Sequence, residues 1–592
     1  MRKSLIATLS VILVLFSVTC VAAQEKPQAE PFEGFSAFVE QMMKEWEVPG
    51  VALAVVKDGK IVFTHCYGYR DLEQKLPVTP QTIFSIGSTT KAFTAFAMGI
   101  LVDEGKVQWD KPVRTWLPDF QLMDEYASAH ITPVDMLNHI SGLPRHDGIW
   151  YNKGLSRKEL YNRLRYLEPS AEFRQKFQYN NLMYTMAGYL VGQVSGGTWE
   201  DFVTERIFKP LGMSHSIFGP PEDESVDLAS PYSMRGGKLT KVPQYRDWAI
   251  GPCGSIYSTI EDMGKWLLVH LNNGKVGETA LVTESTFNLL HSPKTVGGSS
   301  TAEMPISAYG FGWSIQPYRG HHLLWHNGSI DGFFAFICFL PYDNYGMVIL
   351  TNEDNHWLAE IVAYTTLDRV FNLEGIDWNA RVSEPPEEEA EEAEEASKEA
   401  EKAFVGRQGT TPSHPLTEYV GTYEHPAYGR VIIGLAGDKL EFVDKGKKNP
   451  LEHYHYDVFL VSSDSGEEER WQFNMDINGD IASVQALLQE GVDPIVFNRV
   501  AEESLKNEEY LRRFVGEFKS RTQTIKIEMR NGVLFTVISD QPDCELVPVR
   551  ENKFKLKTDE GYSLEFKLDE AGNVSEAVFH KPYGDFPVKR KN

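Results

Sequence analysis

The sequence predicts an α/β (α+β) domain with helices packed on one sheet, followed by two small antiparallel β-barrel domains. Three observations indicate this architecture. Apolar strand patterns stand at both ends of residues 32–375 with helical patterns between them, so we expect one sheet closed by both ends of the domain. A run rich in glutamate and alanine follows at 384–402. Beyond it, short β-type segments with glycine and aspartate turns form an internal repeat.

The length and charge of the chain limit the classes of protein to which it can belong. With 592 residues it exceeds one ordinary core, and roughly two to four domains are expected. Its formal net charge of −25 disfavours nucleic acid or an anionic membrane surface as a partner. Part of this acidity is concentrated at 384–402, so the charge indicates little about the substrate.

The N-terminus has the pattern of an export signal, which we assign to residues 1–23. Arg2 and Lys3 precede a mostly apolar stretch from Leu5 to Val18, and Val21-Ala22-Ala23 supplies the small residues of a cleavage site. A membrane anchor is the alternative, but the apolar stretch is short for a span and no basic flank follows it. The mature protein is therefore expected in the periplasm or outside the cell, with no stable membrane span.

The first domain, predicted at 32–375, begins with a hairpin and contains a buried helix. Apolar segments at 51–56 and 61–66 flank the turn Lys57-Asp58-Gly59-Lys60. Residues 89–102 are nearly apolar all round, which is typical of a helix inside a domain. Two further strand patterns stand near the end of the domain, at 333–340 and 346–350.

The repeat places two domains after a predicted acidic linker at 376–412. Leu-x-x-Tyr-Val-Gly-x-Tyr at 416–423 recurs as Leu-x-x-Phe-Val-Gly-x-Phe at 511–518, and Phe-x-x-Asp-x-x-Gly at 473–479 recurs at 566–572. Two landmarks at nearly the same offset indicate two copies of one unit. We therefore predict β-barrel domains at 413–501 and 506–592.

The cysteines do not indicate a metal site or a disulfide scaffold. The four that follow the export signal are scattered, with no Cys-x-x-Cys pair and no histidine at ligand spacing. We therefore expect no metal and no cofactor.

The first candidate catalytic motif is Ser88-x-x-Lys91. Because an apolar helical pattern follows, Ser88 is expected near a helix N-terminus, where free backbone N–H groups favour a developing anion. Residues three apart share a helix face, so the Lys91 amine can reach the Ser88 hydroxyl and act as its base. On this spacing alone, a capping serine beside a surface-reaching lysine is an equal alternative.

The second motif is Tyr179-x-Asn181, which stands before a helical pattern at 186–194. A phenol can relay a proton between the nucleophile and the leaving group. The amide of Asn181 can hold both Lys91 and a substrate carbonyl. A polar turn that leads into a helix is the alternative, and for Asn180 it is the better interpretation.

The third motif is His326-x-Gly328, followed by Ser329 and preceded by a strand pattern at 323–325. Gly328 is expected to let a substrate lie against the strand edge. The backbone N–H groups of Ser329 and Ser88 are candidates for an oxyanion hole. His326 is expected to offer a hydrogen bond or a titratable charge to a substrate carboxylate or to Tyr179.

In this order and at these distances, the three motifs resemble those of the penicillin-binding protein and class C β-lactamase superfamily of serine hydrolases. Stretches at 136–144, 210–213 and 251–259 are also similar to that family, and the resemblance covers about residues 32–370. It implies an antiparallel sheet with a helical subdomain and a site in the cleft between them. It also implies acylation of Ser88 by an amide, ester or lactam carbonyl, followed by hydrolysis.

His326 is a departure, because classical β-lactamases and DD-peptidases of the family carry lysine at that position. The histidine form is similar to the D-aminopeptidase and esterase-like branches, some of which carry lipocalin-like C-terminal barrels. We therefore expect a secreted hydrolase of a small-molecule or peptide substrate, either a peptide or amide or an ester. A β-lactamase or DD-peptidase is the alternative, and a penicillin-binding sensor with little turnover is the alternative of another class. The small barrels are also compatible with a homo-oligomer.

Overall fold

The computed structural model describes residues 32–383 and 409–591, apart from 224, 247–248, 299, 445–446, 463–467, 521–522, 540 and 559–560. The predicted export signal at 1–23 and most of the predicted linker at 376–412 lie outside the described residues. Within the part of the chain that the structure describes, no helix combines the length and the apolarity needed to cross a membrane.

A nine-stranded antiparallel sheet forms the centre of the first domain. In spatial order its strands are Thr295–Val296, Ala308–Gly310, Trp313–Tyr318, His321–Ile330, Phe333–Leu340, Tyr345–Thr351, Gly50–Lys57, Lys60–Asp71 and Leu76–Pro77. The N-terminal hairpin lies beside the last C-terminal strand, with Val51 opposite Thr351. The predicted closure of one sheet by both ends of the domain is therefore confirmed.

Helices cover both faces of this sheet. In the strand Gly50–Lys57, Val51 and its alternate neighbours pack in a cluster with the helices Phe35–Glu45 and Trp357–Val370, whereas Ala52 and its alternate neighbours belong to the opposite core. Successive side chains of a strand point to opposite faces, so a strand buried on both faces is apolar throughout. This is why the first domain has strand segments without polar alternation.

The remaining elements of the first domain are mostly helical. Its other helices are Thr90–Asp103, Glu125–His130, Pro133–Leu137, Arg157–Arg163, Asn181–Ser195, Trp199–Val203, Lys209–Leu211, Gly251–Gly254, Ile260–Leu271, Glu284–Leu290 and Trp378–Ser383. Its small strands outside the main sheet are Phe84–Ser85, Ile217–Phe218, Tyr232–Arg235, Lys238–Lys241, Ile256–Ser258, Lys275–Val276 and Thr279–Ala280. The helix Thr90–Asp103 is buried from Thr90 to Leu101, as its uniform apolarity predicts.

Two closed eight-stranded antiparallel barrels follow, which confirms the predicted pair of β-domains. The first consists of Gly421–His425, Gly429–Ala436, Lys439–Asp444, Lys447–His455, Val458–Ser462, Glu468–Met475, Ile481–Ala486 and Ile495–Val500. The second consists of Gly516–Lys519, Thr524–Arg530, Val533–Ile538, Cys544–Arg550, Lys553–Leu556, Ser563–Leu568, Val574–Lys581 and Gly584–Arg590. A short helix, Glu508–Arg512, precedes the second barrel.

The repeated aromatic residues form equivalent cores in the two barrels. In the first barrel, the ring centroid of Phe473 lies 5.0 Å from that of Tyr419 and 5.8 Å from that of Tyr423. In the second, Phe566 lies 4.8 Å from Phe514 and 5.5 Å from Phe518. The residues that the two copies share are therefore core residues. Close packing of the core restricts these positions, whereas surface positions are free to differ between the copies.

Candidate active site

Ser88 lies at the start of the buried helix, in a single 3₁₀ turn, Gly87–Thr89, that continues into Thr90–Asp103. The residue before it, Gly87, has a φ of 46°, which is the left-handed region that favours glycine. The hydroxyl of Thr89 donates to the carbonyl of Ile86 at 2.9 Å and closes the turn. This geometry holds the Ser88 backbone N–H at the helix N-terminus.

Lys91 is fully buried and directs its amine at Ser88. Its Nζ donates to Ser88 Oγ at 2.9 Å, to Asn181 Oδ1 at 2.8 Å and to the carbonyl of Cys253 at 3.1 Å. Three acceptors match the three donors of an ammonium group. The structure therefore brings Ser88, Lys91 and Asn181 into one hydrogen-bonded cluster, and the alternative of a lysine that reaches the surface does not hold.

Tyr179 contacts this cluster through its ring, whose centroid lies 4.7 Å from Lys91 Nζ. Its backbone is held by His139, which accepts from Gln178 N through its carbonyl at 2.8 Å and from Asn180 N through Nδ1 at 3.0 Å. Asn180 itself caps the helix Asn181–Ser195 by accepting from Met183 N at 2.9 Å, which is the structural role expected for it.

Gly328 lets the strand His321–Ile330 lie against the Ser88 turn. A Cβ atom on Gly328 would lie 2.1 Å from the carbonyl of Ile86 and 2.7 Å from Ser88 N. A Cβ on Gly87 would in turn lie 2.9 Å from Ser329 N. The close approach that Gly328 permits in the structure is thus to the backbone of 86–88, and it brings the backbone nitrogens of Ser88 and Ser329 into neighbouring positions.

We expect the variant Gly328→Ala to lose at least about 100-fold in kcat/KM for an ester. The added methyl group pushes the backbone N–H groups of Ser88 and Ser329 apart, and a displaced oxyanion-hole donor lowers the rate by about this factor. Gly375→Ala is the matched control, since nothing lies within 4 Å of a Cβ at that position. The measurement is a steady-state assay of both variants alongside their thermal unfolding. A Gly328→Ala enzyme with the wild-type rate would contradict this account of the oxyanion hole.

His326 is buried, with 4% of its surface exposed, and does not present a charge to the cleft. Its Nδ1 donates to the carbonyl of Asn327 at 2.5 Å, so its Nε2 accepts from the hydroxyl of Tyr309 at 3.2 Å. Burial and the nearby Lys91 amine lower the pKa of His326 from 6.5 to about 3. Of the two roles expected for His326, these contacts favour the hydrogen bond over the titratable charge, because the imidazole is a neutral hydrogen-bonding group behind the site.

The neutral state of His326 has a measurable consequence for the pH dependence. With a folded-state pKa of about 3, the ring gains a proton only as the pH falls toward that value, so it stays neutral from pH 8 to pH 5. We expect His326→Asn to lower kcat/KM about tenfold through the lost hydrogen bond, without changing the shape of the profile over this range. Assays with an uncharged ester test this. A wild-type inflection near pH 6.5 that vanishes in the variant would contradict it.

A cavity of about 360 Å³ opens above Ser88, a size that suits a small ligand or the end of a peptide. Its lining combines residues of the motifs with charged and aromatic side chains that the motifs do not contain. The lining residues are Gly87, Ser88, Arg145, Asp147, Trp150, Tyr151, Asn181, Ile250, Cys253, Gly254, Ser329, Ile330, Asp331 and Asp354.

The sequence motifs miss Arg145 and Asp147, which connect directly to the cluster. Asp147 Oδ1 accepts from Asn181 Nδ2 at 3.1 Å, and Asp147 forms a 2.6 Å ion pair with Arg145. The Arg145 guanidinium lies 5.3 Å from the Tyr179 ring centroid. Their only sequence signal is that two charged residues follow directly after the family-like stretch 136–144. Asp147 lies 34 residues before Asn181, a distance that follows no local period.

Comparisons with known proteins give a consistent picture. A family model described as Beta-lactamase matches residues 35–369, and a model described as a domain of unknown function matches residues 406–499. A solved structure described as an octameric penicillin-binding protein homologue from Pyrococcus abyssi superposes with a TM-score of 0.52 at 23% identity, covering 79% of this chain and 99% of that one. That similarity shows a shared fold.

Curated relatives extend the similarity beyond the first domain. A protein of Aspergillus campestris named an unguisins hydrolase is 31% identical over 421 residues, which cover 68% of this chain and 77% of that protein. Its namesake from Aspergillus violaceofuscus is 29% identical over 445 residues, 69% of this chain and 78% of that protein. Protein flp of Staphylococcus aureus is 27% identical over 331 residues, 55% of this chain and 64% of that protein.

Proposed function

The chain belongs to the β-lactamase family, and on that premise we propose that it is a secreted serine hydrolase that forms an acyl-enzyme on Ser88 with a peptide, amide or ester substrate. The observation that carries the proposal is the 2.9 Å hydrogen bond between Lys91 Nζ and Ser88 Oγ at the wall of an open cavity. A buried amine held against a serine hydroxyl is the pairing that nucleophilic catalysis needs.

The proposed reaction has two halves. In the first, Lys91 Nζ, once it has released one ammonium proton to solvent, keeps its hydrogen bonds to Asn181 Oδ1 and the carbonyl of Cys253 and turns its lone pair to Ser88. It then accepts the hydroxyl proton as Ser88 Oγ attacks the substrate carbonyl. The negative charge on the carbonyl oxygen is stabilised by the N–H groups of Ser88 and Ser329. The proton then passes, with Tyr179 as the relay, to the departing amine or alcohol. In the second half, water attacks the ester carbonyl and gives one proton to the same groups, which pass it to Ser88 Oγ as the bond between Oγ and the acyl carbon breaks and the acid leaves.

One observation favours peptides, amides and esters over β-lactams, and the names of two relatives add a substrate to be tested. His326 is neutral and buried where dedicated β-lactamases carry a lysine, so that position offers no cation to the carboxylate of a penicillin. Two curated relatives are named as hydrolases of unguisins, and unguisins therefore belong among the substrates to be tested. A β-lactamase or DD-peptidase is the alternative, and an acylated sensor is the alternative without turnover.

Mass spectrometry of the full-length protein during turnover tests the proposal. The protein is mixed with p-nitrophenyl acetate, D- and L-amino-acid anilides, unguisins or nitrocefin, quenched at successive times and digested. We expect a transient adduct on the peptide that contains Ser88, together with turnover of at least one ester, anilide or peptide. An adduct that accumulates without turnover would favour the sensor, and faster hydrolysis of nitrocefin than of every other substrate would favour a β-lactamase.

Export is part of the same proposal. It is supported by the basic start, the apolar stretch and the small residues at 21–23. Cell fractionation followed by N-terminal sequencing is expected to recover a chain that begins at Gln24 outside the cytoplasm.

A further inference from the structure

The first barrel contacts the hydrolase domain beside the active site. Its turn at 426–428, between the strands Gly421–His425 and Gly429–Ala436, reaches the other domain at two points. Arg163 Nη1 donates to the carbonyl of Ala427 at 2.7 Å, and the ring of Tyr428 lies so close over Gly148 that a Cβ there would be 3.2 Å from it. The apolar cores of the two domains are continuous across this contact.

The first barrel forms hydrogen bonds with His146 of the hydrolase domain. It is fully buried, and its Nε2 donates to the carbonyl of Glu168 at 2.8 Å. Burial lowers the pKa of His146, so the ring is neutral. Its Nδ1 is therefore an acceptor, and the hydroxyl of Tyr428 donates a hydrogen bond to it at 2.8 Å. The backbone N–H of His146 donates to Gln489 Oε1 of the same barrel at 2.5 Å. The carbonyl of His146 also accepts from Ile149 N at 3.2 Å, so two of its four hydrogen bonds are made with the barrel.

The backbone at His146 needs this support. Its φ of 48° is the left-handed region, which is unfavourable for residues with a side chain and persists where surrounding contacts impose it. That conformation determines how Arg145 and Asp147, on either side of His146, enter the cavity. A change in the contacts of His146 is therefore transmitted first to these two residues.

Asp147 connects this segment to the proposed nucleophile. Its Oδ1 accepts from Trp150 Nε1 at 2.8 Å and from Asn181 Nδ2 at 3.1 Å. The other end of the same amide, Asn181 Oδ1, accepts from Lys91 Nζ at 2.8 Å. Only one of the two orientations of the Asn181 amide satisfies both neighbours, because the Asp147 carboxylate offers only acceptors and the Lys91 ammonium offers only donors. Asp147 and Lys91 thus set the orientation of the Asn181 amide together, and Asp147 is the partner that the segment 145–147 supplies.

We propose that the first barrel is a positioning element of the active site: Tyr428 and Gln489 fix the segment 145–147, and through it the Asn181 amide that holds Lys91. This rests on the proposed function of Ser88 and Lys91. Tyr428 and Gln489 contact neither nucleophile nor base, so they are positioning residues. The barrel would then be required for the rate of acylation and not only for the stability of the fold.

The decisive comparison is between two tyrosine variants of the full-length protein. Tyr428→Phe removes only the hydroxyl that reaches His146. Tyr423→Phe removes a hydroxyl of the same barrel that donates to the carbonyl of Tyr419 at 2.7 Å, inside the barrel core. Active sites are titrated with a fluorophosphonate, and kcat, KM and the acylation rate constant are measured per titrated site with a p-nitrophenyl ester.

We expect Tyr428→Phe to lower kcat and the acylation rate constant per titrated site about tenfold, with little change in KM, while Tyr423→Phe keeps the wild-type rate. If the tyrosine only stabilised the domain contact, fewer sites would titrate but each would react at the normal rate. That result, or equal losses in the two variants, would overturn the proposal. If Tyr428→Phe folds poorly, Gln489→Met tests the second hydrogen bond from the barrel to His146, at a half-buried position. It is expected to slow acylation in the same way.

A double variant tests the route through Asn181. If Tyr428 acts by orienting that amide, Tyr428→Phe should cause no further loss in an Asn181→Ala background, because the group it positions is absent. Full additivity of the two losses would overturn this route. Failure of the proposed function is distinguishable, since it would appear as turnover that persists in Ser88→Ala.

Discussion

The variant Ser88→Ala is expected to lose about 10⁴-fold or more in kcat for p-nitrophenyl esters, because no covalent intermediate can form without the nucleophile. The fold should persist. Ser88 is partly exposed at the cavity, and the substitution removes one of three acceptors of the Lys91 amine. Steady-state assays and intact-mass spectra of the variant after exposure to the ester measure both turnover and adduct.

A serine distant from the cleft provides the control for this experiment. Ser575 lies in the second barrel, where its hydroxyl donates to the carbonyl of Lys567 at 3.2 Å, so Ser575→Ala should react at the wild-type rate. Turnover by Ser88→Ala at the wild-type rate, or an adduct on a different residue, would refute the assignment of the nucleophile.

Lys91→Met is expected to lower the acylation rate constant by a factor of about 10²–10⁴, the range for loss of a general base. Methionine occupies a similar volume but carries no proton acceptor for the Ser88 hydroxyl. The substitution also leaves Asn181 Oδ1 and the carbonyl of Cys253 without their shared donor, which costs about 1–3 kcal/mol of stability for each buried group left unsatisfied. Stopped-flow acylation with a p-nitrophenyl ester and thermal unfolding measure the two effects separately.

The matched control is Lys209→Met. Lys209 is exposed and forms an ion pair with Glu205 one helical turn away, so its loss should change neither rate nor unfolding temperature appreciably. If Lys91→Met acylated as fast as Lys209→Met, a different base would have to serve Ser88, and the proton pathway through Lys91 would be abandoned.

The architecture could be predicted because each part of it is encoded by local patterns. The apolar strands at both ends of 32–375 predict a sheet closed by the two termini of the domain, and Val51 does pair with Thr351. The repeat at 416–423 and 511–518 predicts two similar barrels, since its aromatic residues are core positions in both. Periodicity and turn residues report such features directly.

The site could be predicted only in part. Ser88 and Lys91 are three residues apart, and a helix brings such residues together, so their contact follows from local geometry. Asn181 lies 90 residues further along the chain than Lys91, and only the resemblance to a family placed it nearby. Its hydrogen bond to Lys91 is consistent with the predicted role.

By itself, the sequence determined the fold class, the repeat and the order of the three motifs, because these depend on spacings of a few residues that the backbone converts into strands, turns and helix faces. Only the tertiary structure decided the electrostatic state of the site. His326 became a neutral buried group because Tyr309 and its other neighbours exclude water from it. The segment 145–147 lines the cavity beside Ser88, and its central residue, His146, accepts a hydrogen bond from Tyr428, which lies 282 residues later in the chain. Burial and long-range contacts of this kind depend on which surfaces meet, and no local pattern records that.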